Sequence, residues 1–492
     1  MPSQGNIFSS LALLAWVPLA LWIARRWPPS KAATLLFLIP VMFLPEGVAF
    51  KLPGLVEFNK GRIAVLWLLI GVLLFHRQRL ATVRLGKLVT LALVMLLGGS
   101  VLTVFTNGDS VVYGSAFLPG HTPYDAVHTL VANMLDLVLP FVLAAAMFNG
   151  PRDLRIFLRT LVGMALVYSF LQLVELWLSP QLHNWIYGFH QSSFAQAMRG
   201  GGYRPTVFMA HGLALAMFTT SALLAAAGLY KTKSKPFRIG VGWVVAYLCL
   251  ILVLSKSQAA LLYSLVAVPL ILFATPKLQL RAAAVLALVV LLYPGARGAG
   301  LVPVESIRDW VNRTYDEEKV GSIMMRFENE ETLLERANER SVFGWGGFCR
   351  PCIPDQESGE ITSVSDGDWI ITLGTSGVVG FLGKYLLLLL PIFLSAHRLK
   401  RIRRTSDRRL LAALALIVGF SMFDLVPNGN FNYFVFVFAG ALLGCSGGIL
   451  RVQATMDAVR RANHRPALDR TQDHSAHVGL PRKAAVLNAP AL

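Results

Sequence analysis

Long apolar runs joined by short connections constrain this chain more than any other feature it has. A helix needs about 20 apolar residues to cross a hydrocarbon core of about 30 Å. Runs near that length lie at 7–24, 33–50, 61–75, 87–105, 126–148, 157–178, 206–228, 239–254, 258–274, 281–294, 369–396, 410–427 and 431–450. Several are short or broken, notably 33–50 with Pro40 and Pro45, so twelve to thirteen spans are expected. Charged residues are only 15% of the 492 and hydrophobic ones 55%, whereas soluble chains carry about a quarter charged residues. A soluble globular fold is excluded, and an all-α integral membrane protein is expected.

The formal charge of +18 does not point to nucleic acid, because the basic residues sit in short clusters between the apolar runs rather than in one patch. Four cysteines are too few for a disulfide framework. The first run, from Ile7, has no basic stretch before it and no convincing cleavage site, and is expected to be a retained helix.

Basic residues set the orientation, since cytoplasmic connections keep Lys and Arg. One alternate set of connections holds Arg25, Arg26 and Lys31; Arg77, Arg79, Arg84 and Lys87; Arg152, Arg155 and Arg159; Lys231, Lys233, Lys235 and Arg238; Lys277 and Arg281; and the run from Arg398 to Arg409. That side is expected to be cytoplasmic. The other set, 106–125, 179–205 and the long segment 295–367, faces outward, into a periplasm in a Gram-negative cell. Alternation then places the C-terminus inside, and the N-terminal side depends on whether the second run crosses. Residues 1–450 form the membrane domain, with 295–367 a large periplasmic loop containing short helices. The tail 451–492 loses apolar periodicity and is expected to be a disordered cytoplasmic extension.

Charge beside a span is costly and therefore informative, and it collects on the outward side. In RGGGYRPTVFMAHG, Arg199 and Arg204 flank glycines just before a span, where a guanidinium can hold a phosphate through two oxygens or simply snorkel to the interface. His211, one or two turns into that span, reads as a packing residue or a proton carrier. The hairpin LSKSQAALL brings Lys256 and Gln258 between two apolar runs, with Lys256 either facing an anion or solvated. The stretch 324–343, MMRFENEETLLERANERSVF, suits an amphipathic helix with Arg326 near its start. FGWGGFCRPC follows, where Cys349 and Cys352 have the spacing for a local disulfide in an oxidising compartment. Zinc is not expected, because the loop has no His and no further Cys. In SVSDGDWIITLGTSGVVGF, Asp366 and Asp368 stand at the outer mouth of a long apolar run. A carboxylate there can accept a proton from a sugar hydroxyl or cap the helix.

Four of these stretches together resemble the O-antigen ligase and O-antigen polymerase superfamily of bacterial membrane proteins. YRPTVFMAHGLALAMF is similar to the family's Arg-containing approach to a central helix, and LVLSKSQAALL to its Ser-x-Ser-Arg hairpin. MMRFENEETLLERANERSVFGWGGF resembles the Arg-led helix and Gly-Trp-Gly turn of the periplasmic loop. DGDWIITLGTSGVVGF resembles the start of the next helix, with its closing Gly-x-x-Gly. The chain departs from the pattern at Gln258, where the hairpin has Arg, and at Asp366, where ligases carry His. The second departure leans toward an exopolysaccharide or O-antigen polymerase.

The resemblance implies an inner-membrane, metal-independent transferase, without cofactor, acting at the periplasmic face. Its substrate would be a glycan on undecaprenyl pyrophosphate, and its acceptor a sugar hydroxyl of a lipid-linked repeat or of lipid A-core; other polysaccharide-biosynthesis proteins are expected partners. Arg204, Arg326 and Lys256 would hold the pyrophosphate and Asp366 would deprotonate the acceptor, with Arg199, His211, Gln258 and Asp368 as further candidates. The alternatives are a transporter or flippase of lipid-linked sugars and a non-catalytic part of an export complex. A transporter should carry ionisable groups at the midplanes of several spans, where Glu175, Asp136, Asp424 and Lys384 are the candidates.

Overall fold

The structure, a computed structural model, describes residues 5–51, 53–199, 201–233, 240–314, 317–355, 357–429 and 434–463. Helices dominate them. First come α1 (Ile7–Arg26), α2 (Pro29–Phe43), α3 (Lys60–Phe75) and α4 (Lys87–Phe105). Next, α5 (Pro123–Asn133) runs through a π-helical turn, Met134–Val138, into α6 (Leu139–Met147), and α7 (Pro151–Leu178) follows. Two short helices, α8 (Leu182–Tyr187) and α9 (Phe194–Ala197), precede α10 (Gly212–Lys231), α11 (Val241–Leu254), α12 (Gln258–Phe273) and α13 (Pro276–Gly298). The long connection contains α14 (Val304–Thr314) and α15 (Glu317–Glu339), and α16 (Asp368–Leu399), α17 (Thr405–Asp424) and α18 (Phe434–Asn463) complete the order. The only strands among the described residues are short hairpins, one of them Met198–Arg199 with Gly202–Tyr203.

Among the described residues, eight helices are long and apolar enough to cross a membrane, and α2, α11 and α12 are shorter apolar helices. The chain is therefore an all-α, multi-pass membrane protein. Local chemistry sets the helix starts. Asn6 caps α1 through the Ser9 N–H, Asn59 caps α3 through that of Arg62, and Thr122 and Asp125 form a capping box on α5. Helix α10 sits at the centre, with 94% of its apolar window buried. Its Ala, Gly, Ser and Thr side chains let α7, α11, α12 and α17 pack closely around it.

Three boundaries differ from expectation. The run 281–294 continues past Pro294 to Gly298, so the long connection begins after that residue. Its main helix is α15, which begins before the predicted position 324 and stops at Glu339, because Arg340–Gly346 is held by other contacts. Helix α18 runs on to Asn463, into the segment expected to be disordered, and 464–492 lies outside the described residues.

Candidate functional site

The connections separate into two sets, as the charge pattern predicts. On one face, the Asn6 N–H donates to Tyr187 O at 3.0 Å and the Glu46 N–H to His183 Nε2 at 3.1 Å. On that face Lys60 Nζ also donates to Phe208 O at 2.6 Å, and the Asp368 N–H to Leu425 O at 2.9 Å. The opposite, basic face is tied by Arg79 to Asp153 at 3.0 Å, by Arg155 to Asp407 and by Arg409 to Lys231 O at 3.1 Å. Among the sequence-predicted site residues, Arg204 meets Lys256 and Arg326 meets Asp366.

The approach to α10 is shaped by a buried acid. The Glu175 carboxylate, at the end of α7, accepts the N–H groups of Thr206 at 2.8 Å, Val207 at 2.7 Å and Leu182 at 3.2 Å. Holding these amides keeps 204–211 out of the helix, with Val207 at φ +54°. His211 is consequently the N-cap of α10, its Nδ1 accepting the Leu213 N–H at 3.1 Å, and does not lie one or two turns inside the span as the sequence suggested. Glu175 itself is a loop anchor on this face.

Arg204 and Lys256 are brought together. The buried Arg204 side chain donates from Nη2 to the carbonyl of Lys256 at 3.3 Å. The Lys256 ammonium lies so close over Gly202 that a side chain there would collide with it. The tight turn before α12 produces this pose by placing Lys256 at φ +51°. Gln258, at the first turn of α12, is exposed, and Arg199 lies in the hairpin ahead of Arg204.

Arg326 and Asp366 are also brought together. Arg326 Nε donates to Asp366 Oδ2 at 2.9 Å, and their side chains are 46% and 40% exposed, open to a ligand. Gly367 is the N-cap of α16, with no side-chain cap bond, so the capping reading of Asp366 gives way to the ion pair. One turn along α15, the Glu330 carboxylate accepts from Tyr293 Oη at 3.1 Å, and burial raises its pKa above the usual carboxylate value. Arg297 closes on the same helix, donating to Phe327 O and Glu331 at 3.2 Å each. Sequence reasoning missed Glu330.

Asp424, at the end of α17, accepts from Asn428 Nδ2 at 2.8 Å and is bonded by Tyr263 of α12, two turns below Lys256. Gly429, just beyond, packs on the backbone of Asp366. Asp424 thus ties α12 to the turn after α17, and that turn lies against Asp366.

A break in α16 supports the second pair. Gly377 has φ +61° and ψ −169° inside the helix, which frees backbone groups on both sides. The Gly-Trp-Gly segment captures them. Trp345 and Gly346 donate to Gly374 O at 2.8 Å and Thr375 O at 2.9 Å, while Val378 and Val379 donate to Ser341 O at 2.8 Å and Val342 O at 3.2 Å. The guanidiniums of Arg336 and Arg340 lie 3.4 and 4.2 Å from the Trp345 ring centre, and Cys349–Cys352 forms a disulfide just beyond.

Asp368 is turned inward. Buried in the first turn of α16, it accepts from Lys384 Nζ at 2.9 Å and Tyr385 Oη at 2.7 Å along its own helix. Its role is to neutralise Lys384. Asp136 likewise meets Arg62 through two bonds, at 2.9 and 2.7 Å. The four groups weighed as a transport path are thus each engaged locally. Sequence reasoning also missed Lys60 and Arg62, whose signal was two basic residues at an outward span end, against the general charge pattern.

Compared with protein-family models and with curated proteins, the chain matches none.

Proposed function

We propose that this protein is an inner-membrane transferase of lipid-linked glycans, with its active face periplasmic. The observation that carries this reading is the open Arg326–Asp366 pair, on the same face as Arg204 and Lys256. A guanidinium and a carboxylate in contact are what a reaction needs when it stabilises a phosphate leaving group while deprotonating an alcohol.

The resting pair also suggests an order of events. A pyrophosphate brings more negative charge to Arg326 than one carboxylate does, and the planar fork suits phosphate oxygens. Once Arg326 turns to the phosphate, Asp366 is released and can accept the proton of an acceptor sugar hydroxyl. That oxygen attacks the anomeric carbon, the glycosyl–phosphate bond breaks, and undecaprenyl pyrophosphate departs with its charge held by Arg326, Arg204 and Lys256. The exposed Gln258 leaves the cationic role on its hairpin to Lys256.

The test is to incubate the purified protein with a lipid-linked repeat unit, with and without a lipid A-core acceptor, and to separate the products by size. A ladder without added acceptor is expected and identifies a polymerase. A shift only with the acceptor identifies a ligase. No product in either arm overturns the reading in favour of a transporter or a scaffold.

A further inference from the structure

We propose that the basic face carries a binding site for the phosphate headgroup of an anionic phospholipid, formed where α3 ends beside the start of α2. A cavity of about 470 Å3 opens there, lined by Leu74, Phe75, Arg77, Gln78 and Arg79, with Pro29 of α2 on its far side. That volume lies within the range of small-molecule sites, about 300–1,000 Å3.

The lining divides by chemistry. Leu74 and Phe75 are 62% and 42% exposed on the outside of the bundle, where acyl chains lie. Arg77 follows at once on a 3₁₀ turn, Arg77–Thr82, that buries none of its residues. Arg77 is exposed and has no ion pair or hydrogen bond among the described residues. The neighbouring acid is already engaged: Asp153 accepts from Arg79 at 3.0 Å and from the Asn149 N–H at 3.0 Å. Thr82 donates to Arg79 O at 2.7 Å and accepts from Asn149 Nδ2 at 2.7 Å, which fixes the floor of the turn. On the far wall stands Pro29, the first residue of α2. Lys31 lies 3.4 Å from the Trp27 ring centre beside it.

A lipid, rather than a soluble anion, fits both halves of this lining. The headgroup phosphate meets Arg77 while the first methylenes of its chains cover Leu74 and Phe75. Helix α3 has 16 residues, fewer than the about 20 that span a bilayer, which draws Arg77 toward the headgroup layer.

Native mass spectrometry of the full-length protein in mild detergent tests this, with phosphatidylglycerol or phosphatidylcholine added and with inorganic phosphate as competitor. Phosphatidylglycerol is expected to be retained over phosphatidylcholine, and Arg77→Gln to lower that preference about fivefold, the effect of one basic residue near an anionic surface. Arg77→Glu should abolish it. Arg84→Gln, outside the cavity, should retain it, and a thermal midpoint shared with wild type certifies the fold of each variant. Equal retention of the two lipids, an unchanged preference in Arg77→Gln, or displacement by millimolar phosphate would each overturn the proposal.

Discussion

Single side chains decide the shape of the outward face. Glu175 is the clearest case, since one carboxylate satisfies three backbone amides that would otherwise be buried without partners. Glu175→Ala is expected to lower stability by about 1–3 kcal/mol for each amide left unsatisfied, and to release Arg204 from its pose. A thermal midpoint in detergent within 1 °C of wild type would contradict that. His183 behaves as a neutral anchor: its Nδ1–H donates to Phe189 O at 2.8 Å and its Nε2 accepts the Glu46 N–H. Burial lowers its pKa from 6.5 to about 4. An unfolded chain therefore takes up this proton first as pH falls, so the stabilisation is complete above about 6.5 and is lost progressively toward pH 4. The midpoint should fall across that window, and His183→Gln should flatten the fall. These pairings were hidden from the sequence: Glu175 read as an intramembrane charge and His183 as nothing in particular, because their partners are backbone amides and carbonyls.

Elements were more legible than their breaks. The apolar runs foretold the long helices, since crossing a bilayer imposes length and composition directly. The interruption of α16 was not foretold, although its residues were in view as a Gly-x-x-Gly and a Gly-Trp-Gly pattern. Their meaning lies in each other. A Cβ on Gly377 would sit 2.4 Å from the carbonyl carbon and oxygen of Val342, so this glycine is what lets Ser341–Gly346 bond across the break. Gly377→Ala should detach that segment and leave Arg326–Asp366 poorly placed. The measurement is limited proteolysis: new cleavage between 340 and 366 is expected, and an unchanged digest would argue against the coupling.

Across the whole molecule, alternate connections mesh into two faces, and basic residues mark one of them. Labelling of single cysteines in intact cells is expected to modify positions near Asn6, 306 and 358 from outside, and positions near Arg84 and Lys400 only after permeabilisation. The reverse pattern would invert the orientation and put the arginine–aspartate pair on the wrong side for a periplasmic substrate. Of the four short stretches, two are joined through Arg204 and Lys256 and the other two through Arg326 and Asp366. The sequence did not reveal that Asp366 is paired with Arg326 and packed against Gly429 in the turn after α17, because that turn carries no family pattern.

The most direct test of the central claim is the release of undecaprenyl pyrophosphate from a lipid-linked oligosaccharide in proteoliposomes, comparing wild type with Arg326→Ala and Asp366→Asn. The pair is half exposed, and exposed ion pairs contribute about 0–1 kcal/mol, so both variants should fold normally. Each is expected to slow release by about 100-fold or more, the range of a lost acid–base group. Release at the wild-type rate by both variants, or none from wild type itself, would contradict the account.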